Sequence, residues 1–373
     1  MNPSTCANYC KMSDALSPPM VYAGIDEAGY GPLLGPLVIT RCAFVFHRPP
    51  GSSPGSSRGS GFPCLWDALS GAVCRRPAGG ESRLAVSDSK LLYRSGGGLG
   101  CLERGVLCFL ATLGARPANL DRLLELLALD QGSSRVGHLR WYRDRYGSPG
   151  LPGWITPREV DQGAEALAGA FDAAGVRLAG ISCAVVLEDR FNRMVRSTGN
   201  KAECTWHFVG GHLSRVWEGL AAPAGGRGER PPAGEEAPPG AEHGPEPLVV
   251  VDRLGGRKSY APLLRRLFPE GRVAVLGEDE AESSYRITGG GSAMRVSVQV
   301  KGEQRHLPVA LASMVSKYVR ELLMQRFRGY WRVHAPGVRP TSGYYRDGRR
   351  FLMDIEPFLE RLDIDPGLLV RER

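Results

Sequence analysis

The sequence predicts a mixed α/β or α+β fold with a central sheet covered by helices. Runs of β-branched residues typical of buried strands recur along the 373-residue chain. Helical patterns alternate irregularly with these runs, which favours a mixed layered fold. Hydrophobic residues make up 42% of the chain and charged residues 23%, values that exclude a wholly disordered protein. No segment offers about 18 uninterrupted apolar residues, so no transmembrane helix is predicted.

Five segments predict strands. Four runs rich in β-branched residues suit a buried sheet, namely Val21–Ile25, Leu37–Phe46, Ile181–Leu187 and Leu248–Val251. Apolar and polar residues alternate along Met294–Val300, which predicts a strand with one solvent-facing side. The glycines at 289–291 directly before it predict a hairpin turn.

Two segments predict helices by their start signals. Thr156 and Glu159 have the spacing of a capping box, with Pro157 at the first helical position. We expect this helix to end at Gly175. A second helix begins near Pro308, and its apolar face consists of Leu311, Val315, Tyr318 and Leu322.

Acidic residues follow three of the predicted strands. Asp26 and Glu27 end the first strand and precede a turn with three glycines and two prolines, in segment 24–38 (GIDEAGYGPLLGPLV). Asp252 closes another strand, and Glu303 follows the alternating one. Charged groups at a buried strand end are costly unless a cation binds there. Oxygen-only ligands suit Mg²⁺ or Mn²⁺ rather than zinc.

Two other interpretations of the opening segment are weaker. A dinucleotide-binding glycine fingerprint does not fit, because Leu34 stands where the pattern needs a glycine and the acidic pair precedes the turn. A polar turn between two strands would explain the composition but gives no reason for two adjacent carboxylates at a buried strand end.

The motifs resemble those of the type 2 ribonucleases H, ribonuclease HII and its relative ribonuclease HIII. Segment 24–38 is similar to the family opening G-[IV]-D-E-A-G-R-G-P-[LA]-x-G-P-V-V nearly throughout. Later matches follow in family order: Asp88-Ser89-Lys90, the strand ending at Asp252, Lys301-Gly302-Glu303, the run 311–317 (LASMVSK) and Gly343-Tyr344. The matches span residues 21 to about 353.

The resemblance implies a ribonuclease H-like fold, a mixed sheet flanked by helices. It implies endonucleolytic cleavage of RNA paired with DNA, or cleavage at ribonucleotides embedded in duplex DNA. The residues that would hold two Mg²⁺ or Mn²⁺ ions and act in catalysis are Asp26, Glu27, Asp252 and Glu303. The residues that would bind substrate are Gly29, Tyr30, Gly31, Ser89, Lys90, Lys317 and Tyr344.

The chain departs from the family pattern at identifiable positions. Tyr30 stands where the family has arginine, and Glu303 stands where ribonuclease HII has aspartate. Tyr344 is not followed by the family's Gly-Thr pair. The alternative function is therefore a non-catalytic nucleic-acid-binding relative with the same fold. The intact acidic positions favour the enzyme, and Tyr30 favours the alternative.

Acidic positions on both sides of a low-complexity stretch indicate one domain. The chain contains 49 Gly and 28 Pro, and many of them lie in 48–61 and 221–247. Both segments are predicted to be disordered. If all four acids build one site, 221–247 is an insertion in a surface loop. The predicted organisation is an N-terminal tail (1–19), one domain (20–355) with both insertions and an enlarged helical region (near 109–175), and a C-terminal extension (356–373).

Basic residues are concentrated near the predicted second helix. The formal net charge is +8, and 313–350 contains nine Lys or Arg against two acidic residues, with aromatic residues between them. Such a segment predicts a nucleic-acid-binding surface. The alternative is a solvated helix face with Tyr318 and Phe327 in the core. The nine cysteines are an odd number in a long chain, and we see no secretory signal, so we expect a reduced, cytoplasmic protein.

Overall fold

The computed structural model describes residues 20–46, 62–76, 82–93, 98–147, 150–221 and 246–372. The predicted N-terminal tail and the low-complexity segment 48–61 lie outside these residues, as does nearly all of 221–247. Within the described part of the chain no helix is long and apolar enough to cross a membrane. The seven cysteines described there are all free thiols.

A seven-stranded mixed sheet forms the centre of the fold, with the strand order β5-β2-β1-β6-β9-β8-β7. The pairs β1–β6 and β6–β9 are parallel, and the other neighbours are antiparallel. A separate two-stranded sheet joins β3 and β4. The strands are β1 (Met20–Ala28), β2 (Leu37–Phe46), β3 (Val73–Cys74), β4 (Leu84–Ala85), β5 (Val176–Val186), β6 (Leu248–Asp252), β7 (Arg272–Glu278), β8 (Glu282–Gly289) and β9 (Ser292–Gln299).

All five predicted strands are present, and one expectation about them is wrong. The predicted hairpin joins β8 to β9, with Gly290 and Gly291 at positive φ. The alternating strand does not have a solvent-facing side, because Ser297 and Gln299 are 4% and 5% exposed. Gln299 donates to Ser297 (2.8 Å) and hydrogen-bonds His306 (2.8 Å), so this polar face is buried with its partners.

Helices cover both faces of the sheet. They are α1 (Leu65–Ala68), α2 (Ser89–Leu92), α3 (Gly98–Thr112), α4 (Leu120–Leu127), α5 (Gln131–Ser134), α6 (Pro157–Ala174), α7 (Glu188–Thr198), α8 (Lys201–Ala221), α9 (Ala261–Leu267), α10 (Leu307–His334) and α11 (Tyr345–Leu359). The predicted capping box opens α6, where the Thr156 hydroxyl accepts from the Glu159 N–H, and Gly175 ends the helix in the left-handed conformation.

The two-residue period of β1 assigns alternate side chains to two separate cores. Tyr22 packs with residues of α3, α6 and α10 on one face of the sheet. Ala23 and Ile25 pack with residues of α7, α8 and α9 on the other. A sheet buried on both faces explains why β1, β2 and β6 are almost continuously apolar.

Helix α10 lies directly against β1, and a glycine makes this contact possible. A Cβ added to Gly24 would lie 2.2 Å from the Val309 backbone nitrogen. The close approach brings the polar residues of α10 beside the end of β1, where the Ser316 hydroxyl donates to the Asp26 backbone oxygen (3.1 Å). The sequence of α10 thereby positions one side of the site described next.

Candidate active site

Three acidic side chains meet at one edge of the central sheet. Strands β1 and β6 are parallel, with Ile25 beside Val251, so Asp26, Glu27 and Asp252 lie where both strands end. One carboxylate oxygen of each lies within 4.8 Å of the others. The separation is short enough for the three groups to share a bound cation.

Backbone amides hold two of these carboxylates in place. The Glu27 N–H donates to Asp26 Oδ1 (2.7 Å), and the Gly302 N–H donates to Asp252 Oδ1 (2.8 Å). Asp26 is only 7% exposed. In each of these two carboxylates, one oxygen is therefore held by a backbone amide.

Burial and mutual repulsion make these carboxyl groups weak acids. Burial, followed by the neighbouring Glu27 charge, raises the pKa of Asp26 well above its usual value. Burial and the Asp252 charge raise the pKa of Glu27 to about 7. Burial, with the charges of Asp26 and Glu303, raises the pKa of Asp252 to about 8. The cluster is therefore short of positive charge near neutral pH.

A divalent cation fits this donor set. The Glu27 Oε2 atom is buried and has no hydrogen-bond partner among the described residues. An unpartnered carboxylate oxygen is costly to bury, and a cation would satisfy it. All the donors are carboxylate oxygens, which Mg²⁺ and Mn²⁺ prefer.

Glu303 lies beside the three clustered carboxylates and is not one of them. It occupies a short 3₁₀ turn, Gly302–Gln304, directly after Lys301, whose φ of 55° reverses the chain at the end of β9. Its carboxylate lines the same cavity, and its charge helps to raise the pKa of Asp252. Glu303 is thus an outer acidic group of the site.

The residues predicted to act in catalysis or to bind substrate line one cavity of about 590 Å³. They are Asp26, Glu27, Gly29, Tyr30, Gly31, Ser89, Lys90, Asp252, Glu303, Lys317 and Tyr344. Ser313 and Arg320 were not predicted to belong to this site, and both also line the cavity. In the sequence, Ser313 was noted only as part of the 311–317 motif. Its hydroxyl forms a hydrogen bond with the Ser89 hydroxyl (3.0 Å).

Two buried arginines hold the loop that connects β1 to β2. Arg320, from α10, donates to the carbonyl oxygens of Pro36 and Leu34, the latter at 3.0 Å. Arg371 donates to the carbonyl oxygens of Gly29 and Pro32. Gly29 has a φ of +101°, and an added Cβ would lie 2.5 Å from the Pro36 oxygen. The loop is therefore rigidly placed beside the acidic cluster.

The predicted lysines differ in their surroundings. Lys90 is exposed near the start of α2, and its charge partly offsets the rise in the pKa of Glu27 caused mainly by burial. Lys317 forms an ion pair with Glu321 (2.6 Å), and its ammonium lies 4.7 Å from the centre of the Tyr93 ring. Lys90 is thus free to approach a ligand, whereas Lys317 is already engaged.

The interpretation of 313–350 as a nucleic-acid surface is wrong for the buried residues of α10. Arg320 and Arg326 are 2% and 1% exposed, and Arg326 forms two hydrogen bonds with Asp121 (2.7 and 2.8 Å). The aromatic residues of α10 are core residues with at most 2% exposure, namely Tyr318, Phe327, Tyr330 and Trp331. Tyr344 and Tyr345, outside α10, are 51% and 41% exposed. Of the alternative, the placement of Tyr318 and Phe327 in the core is correct, whereas α10 has little solvated face.

Solved structures similar to this chain include ribonucleases of two kinds. A ribonuclease HII complex with PCNA from Archaeoglobus fulgidus is 14% identical, with a TM-score of 0.39 and 95% of each chain covered. Ribonuclease H2 from Pyrococcus horikoshii OT3 is 13% identical, with a TM-score of 0.35, covering 94% of this chain and 92% of that one. Bst-RNase HIII in complex with Mn²⁺ is 13% identical, with a TM-score of 0.36, covering 94% of this chain and 66% of that one.

No family model and no curated protein matches the sequence. The described architecture is a mixed sheet with helices on both faces. Ribonucleases HII and HIII, the type 2 ribonucleases H whose motifs the sequence resembles, are among the solved structures similar to this chain.

Proposed function

We propose that this protein is a metal-dependent endonuclease that hydrolyses the RNA strand of RNA/DNA hybrids or cuts at ribonucleotides embedded in DNA. The observation that carries the proposal is the meeting of Asp26, Glu27 and Asp252 within 4.8 Å, beside a loop with the motif of type 2 ribonucleases H. Three carboxylates with raised pKa values at a cavity wall are typical of a catalytic site rather than a structural one.

Asp26, Glu27 and Asp252 would hold the metal, with Glu303 as the outer ligand of a two-metal site. Bound Mg²⁺ or Mn²⁺ would activate the attacking water and neutralise charge on the leaving 3′ oxygen. The amides of Glu27 and Gly302 would keep Asp26 and Asp252 oriented during the reaction.

The loop at Gly29–Gly31 would distinguish RNA from DNA through its backbone. Gly31 is exposed, and an added Cβ there would meet nothing within 4 Å, so a sugar can approach the main chain closely. The 2′-hydroxyl is both a donor and an acceptor, and a fixed peptide group can test for it. The hydrogen bonds from Arg320 and Arg371 support this role because they fix the loop's carbonyl groups.

The remaining cavity residues would bind the nucleic-acid backbone. Lys90 is exposed at the cavity wall and would contact a phosphate, and Tyr344 would stack against a sugar or base. Ser89 would fix the position of Ser313 beside Asp26. Lys317 would support the site through Glu321.

We further propose that the nuclease is one domain. Strands before and after the insertion pair directly, since β1 lies between β2 and β6 in the same sheet. The C-terminal residues belong to the same unit, because Arg371 binds the loop after β1. The predicted insertion at 221–247 would then interrupt the sequence without dividing the fold.

A cleavage assay tests the proposal. End-labelled RNA/DNA hybrid, duplex DNA with one ribonucleotide and plain duplex DNA would be incubated with the protein, with and without Mg²⁺ or Mn²⁺. We expect metal-dependent cutting of one or both ribonucleotide substrates, and its loss in Asp252→Asn. Asp354→Asn is the control, because that residue lies on α11 and pairs with Arg350 (2.8 Å). Binding of hybrid without cleavage in any metal would instead identify a non-catalytic relative.

A further inference from the structure

A second cavity lies beside the acidic one and shares three residues with it. Its volume is about 200 Å³, and Tyr30, Gly31 and Pro32 line both cavities. Its remaining wall includes Lys201 and Arg371. A ligand that fills the acidic cavity and passes over Gly31 would therefore reach this second cavity.

Lys201 gives the second cavity a positive charge. It is the first residue of the 21-residue helix α8, where the helix dipole also favours an anion. Its ammonium lies 4.7 Å from the centre of the Tyr30 ring, within the range of a cation–π contact. No carboxylate forms an ion pair with Lys201 among the described residues. The Lys201 ammonium therefore lies against Tyr30, the loop residue that borders both cavities.

Arg371 adds a second, more unusual cation. Its side chain is 3% exposed, and its Nη2 group donates to the loop carbonyls. Its Nε and Nη1 atoms are buried without a hydrogen-bond partner in the described part of the chain. Two unsatisfied donors on a buried guanidinium are costly, and an oxyanion would satisfy them.

The one acidic residue of the second cavity does not cancel these charges. Glu372 lines the cavity, but its carboxylate pairs with Arg196 (2.6 Å). The charged side chains that line the cavity, Lys201, Arg371 and Glu372, carry two positive charges and one negative charge. The balance favours an anion over a cation or a neutral ligand.

We propose that Lys201 and Arg371, arranged around Tyr30, form a binding site for a backbone phosphodiester of the nucleic acid. The inference rests on the proposed nuclease function and extends it to a phosphate next to the one that is cleaved. Lys201 supplies, from α8, the positive charge that Tyr30 does not. Free phosphate shares the chemistry of a phosphodiester, so the test separates the two sources.

The test is the salt dependence of duplex binding without divalent metal. The dissociation constant for an RNA/DNA hybrid would be measured at several salt concentrations for wild type, Lys201→Ala, Lys201→Arg and Lys258→Ala. Lys258→Ala is the matched control, since it removes a lysine charge that pairs with Glu280 and lines neither cavity. Loss of one phosphate contact lowers the log–log slope by about 0.9. We expect this change, with about tenfold weaker binding at low salt, only in Lys201→Ala.

A neutral methylphosphonate introduced at one linkage at a time locates the contact. We expect one linkage at which the neutral group weakens wild-type binding but leaves the binding of Lys201→Ala unchanged. Equal slopes for Lys201→Ala and wild type overturn the proposal, even where cleavage is normal and the nuclease function stands. A chemical-shift response of Arg371 to inorganic phosphate, with unchanged duplex binding in Lys201→Ala, assigns the site to free phosphate and also overturns it. If Lys201→Ala shows the expected change in the salt-dependence slope but wild type cleaves no substrate, the phosphate site is supported and the proposed nuclease function is refuted.

Discussion

Replacing Asp252 by asparagine should stabilise the metal-free protein at alkaline pH. The pKa of Asp252 is raised to about 8 from an ordinary value of 3.8, mainly by burial and then by the charges of Asp26 and Glu303. Asparagine keeps the shape and can still accept from the Gly302 N–H (2.8 Å in the native protein). The substitution therefore removes the charge while it preserves the contact.

The magnitude and its pH dependence follow from the raised pKa. Between pH 4 and 8 the folded protein holds a proton that the unfolded chain has lost, so this group's contribution to stability falls as pH rises. The full shift corresponds to about 6 kcal/mol. Part of this energy is repulsion between the clustered carboxylates, which Asp26 and Glu27 reduce when they take up protons. We therefore expect the free energy of unfolding of Asp252→Asn to exceed that of wild type by about 2 kcal/mol at pH 9. At pH 3.5 the two proteins should be equally stable.

Urea unfolding in a chelator at pH 3.5, 7 and 9 measures this difference. Asp347→Asn is the control with the opposite sign, because hydrogen bonds from Arg350, Thr341 and Ser342 lower the pKa of Asp347 against the effect of burial. That variant should lose stability at neutral pH, and its deficit should begin to shrink only below the usual pKa of a carboxyl group, as pH falls towards the lowered pKa of Asp347. An Asp252→Asn protein that is less stable than wild type at pH 9 would refute the argument that the cluster lacks positive charge. Adding Mg²⁺ should stabilise wild type more than the variant.

Four further substitutions test the framework around the site. Gly24→Ala should lower the free energy of unfolding by more than about 4 kcal/mol or prevent folding, because the added Cβ would lie 2.2 Å from the backbone of α10. Gly31→Ala should change the free energy of unfolding by less than about 0.5 kcal/mol, because a Cβ there meets nothing within 4 Å. Glu103→Gln should cost about 2 kcal/mol, measured by urea unfolding, since its carboxylate accepts from three consecutive backbone amides. Arg320→Met should speed hydrogen exchange of the loop amides at 33–35, because it leaves two buried carbonyl oxygens unpaired.

The elements that sequence patterns predicted are those with strong local signals. The four β-branched runs became β1, β2, β5 and β6, and the alternating run became β9. The capping box at Thr156 marks the start of α6. Strand β7 was not predicted, because it is an edge strand whose residues are nearly all exposed and show no clear alternation. Residues in such a strand carry little hydrophobic signal.

The acidic site was visible in the sequence, whereas its supporting arginines were not. Adjacent carboxylates at a strand end are unusual enough to identify a site, as Asp26 and Glu27 did. An arginine in a sequence is typical of a surface, and only a partner far along the chain shows that it is buried. Arg326 binds Asp121 across 205 positions, and Arg371 binds Gly29 across 342. No local pattern contains that information.

The ends of the cleavage product test the account most directly. A uniformly labelled RNA/DNA hybrid would be incubated with the wild-type protein in Mg²⁺, in Mn²⁺ and in chelator, and the termini of the products would be identified. Attack by a metal-activated water predicts 5′-phosphate and 3′-hydroxyl ends, formed only with metal and absent in Asp26→Asn. Cleavage in chelator, or 2′,3′-cyclic phosphate ends, would mean that the 2′-hydroxyl is the nucleophile, and would contradict the assignment of Asp26, Glu27 and Asp252 as metal ligands.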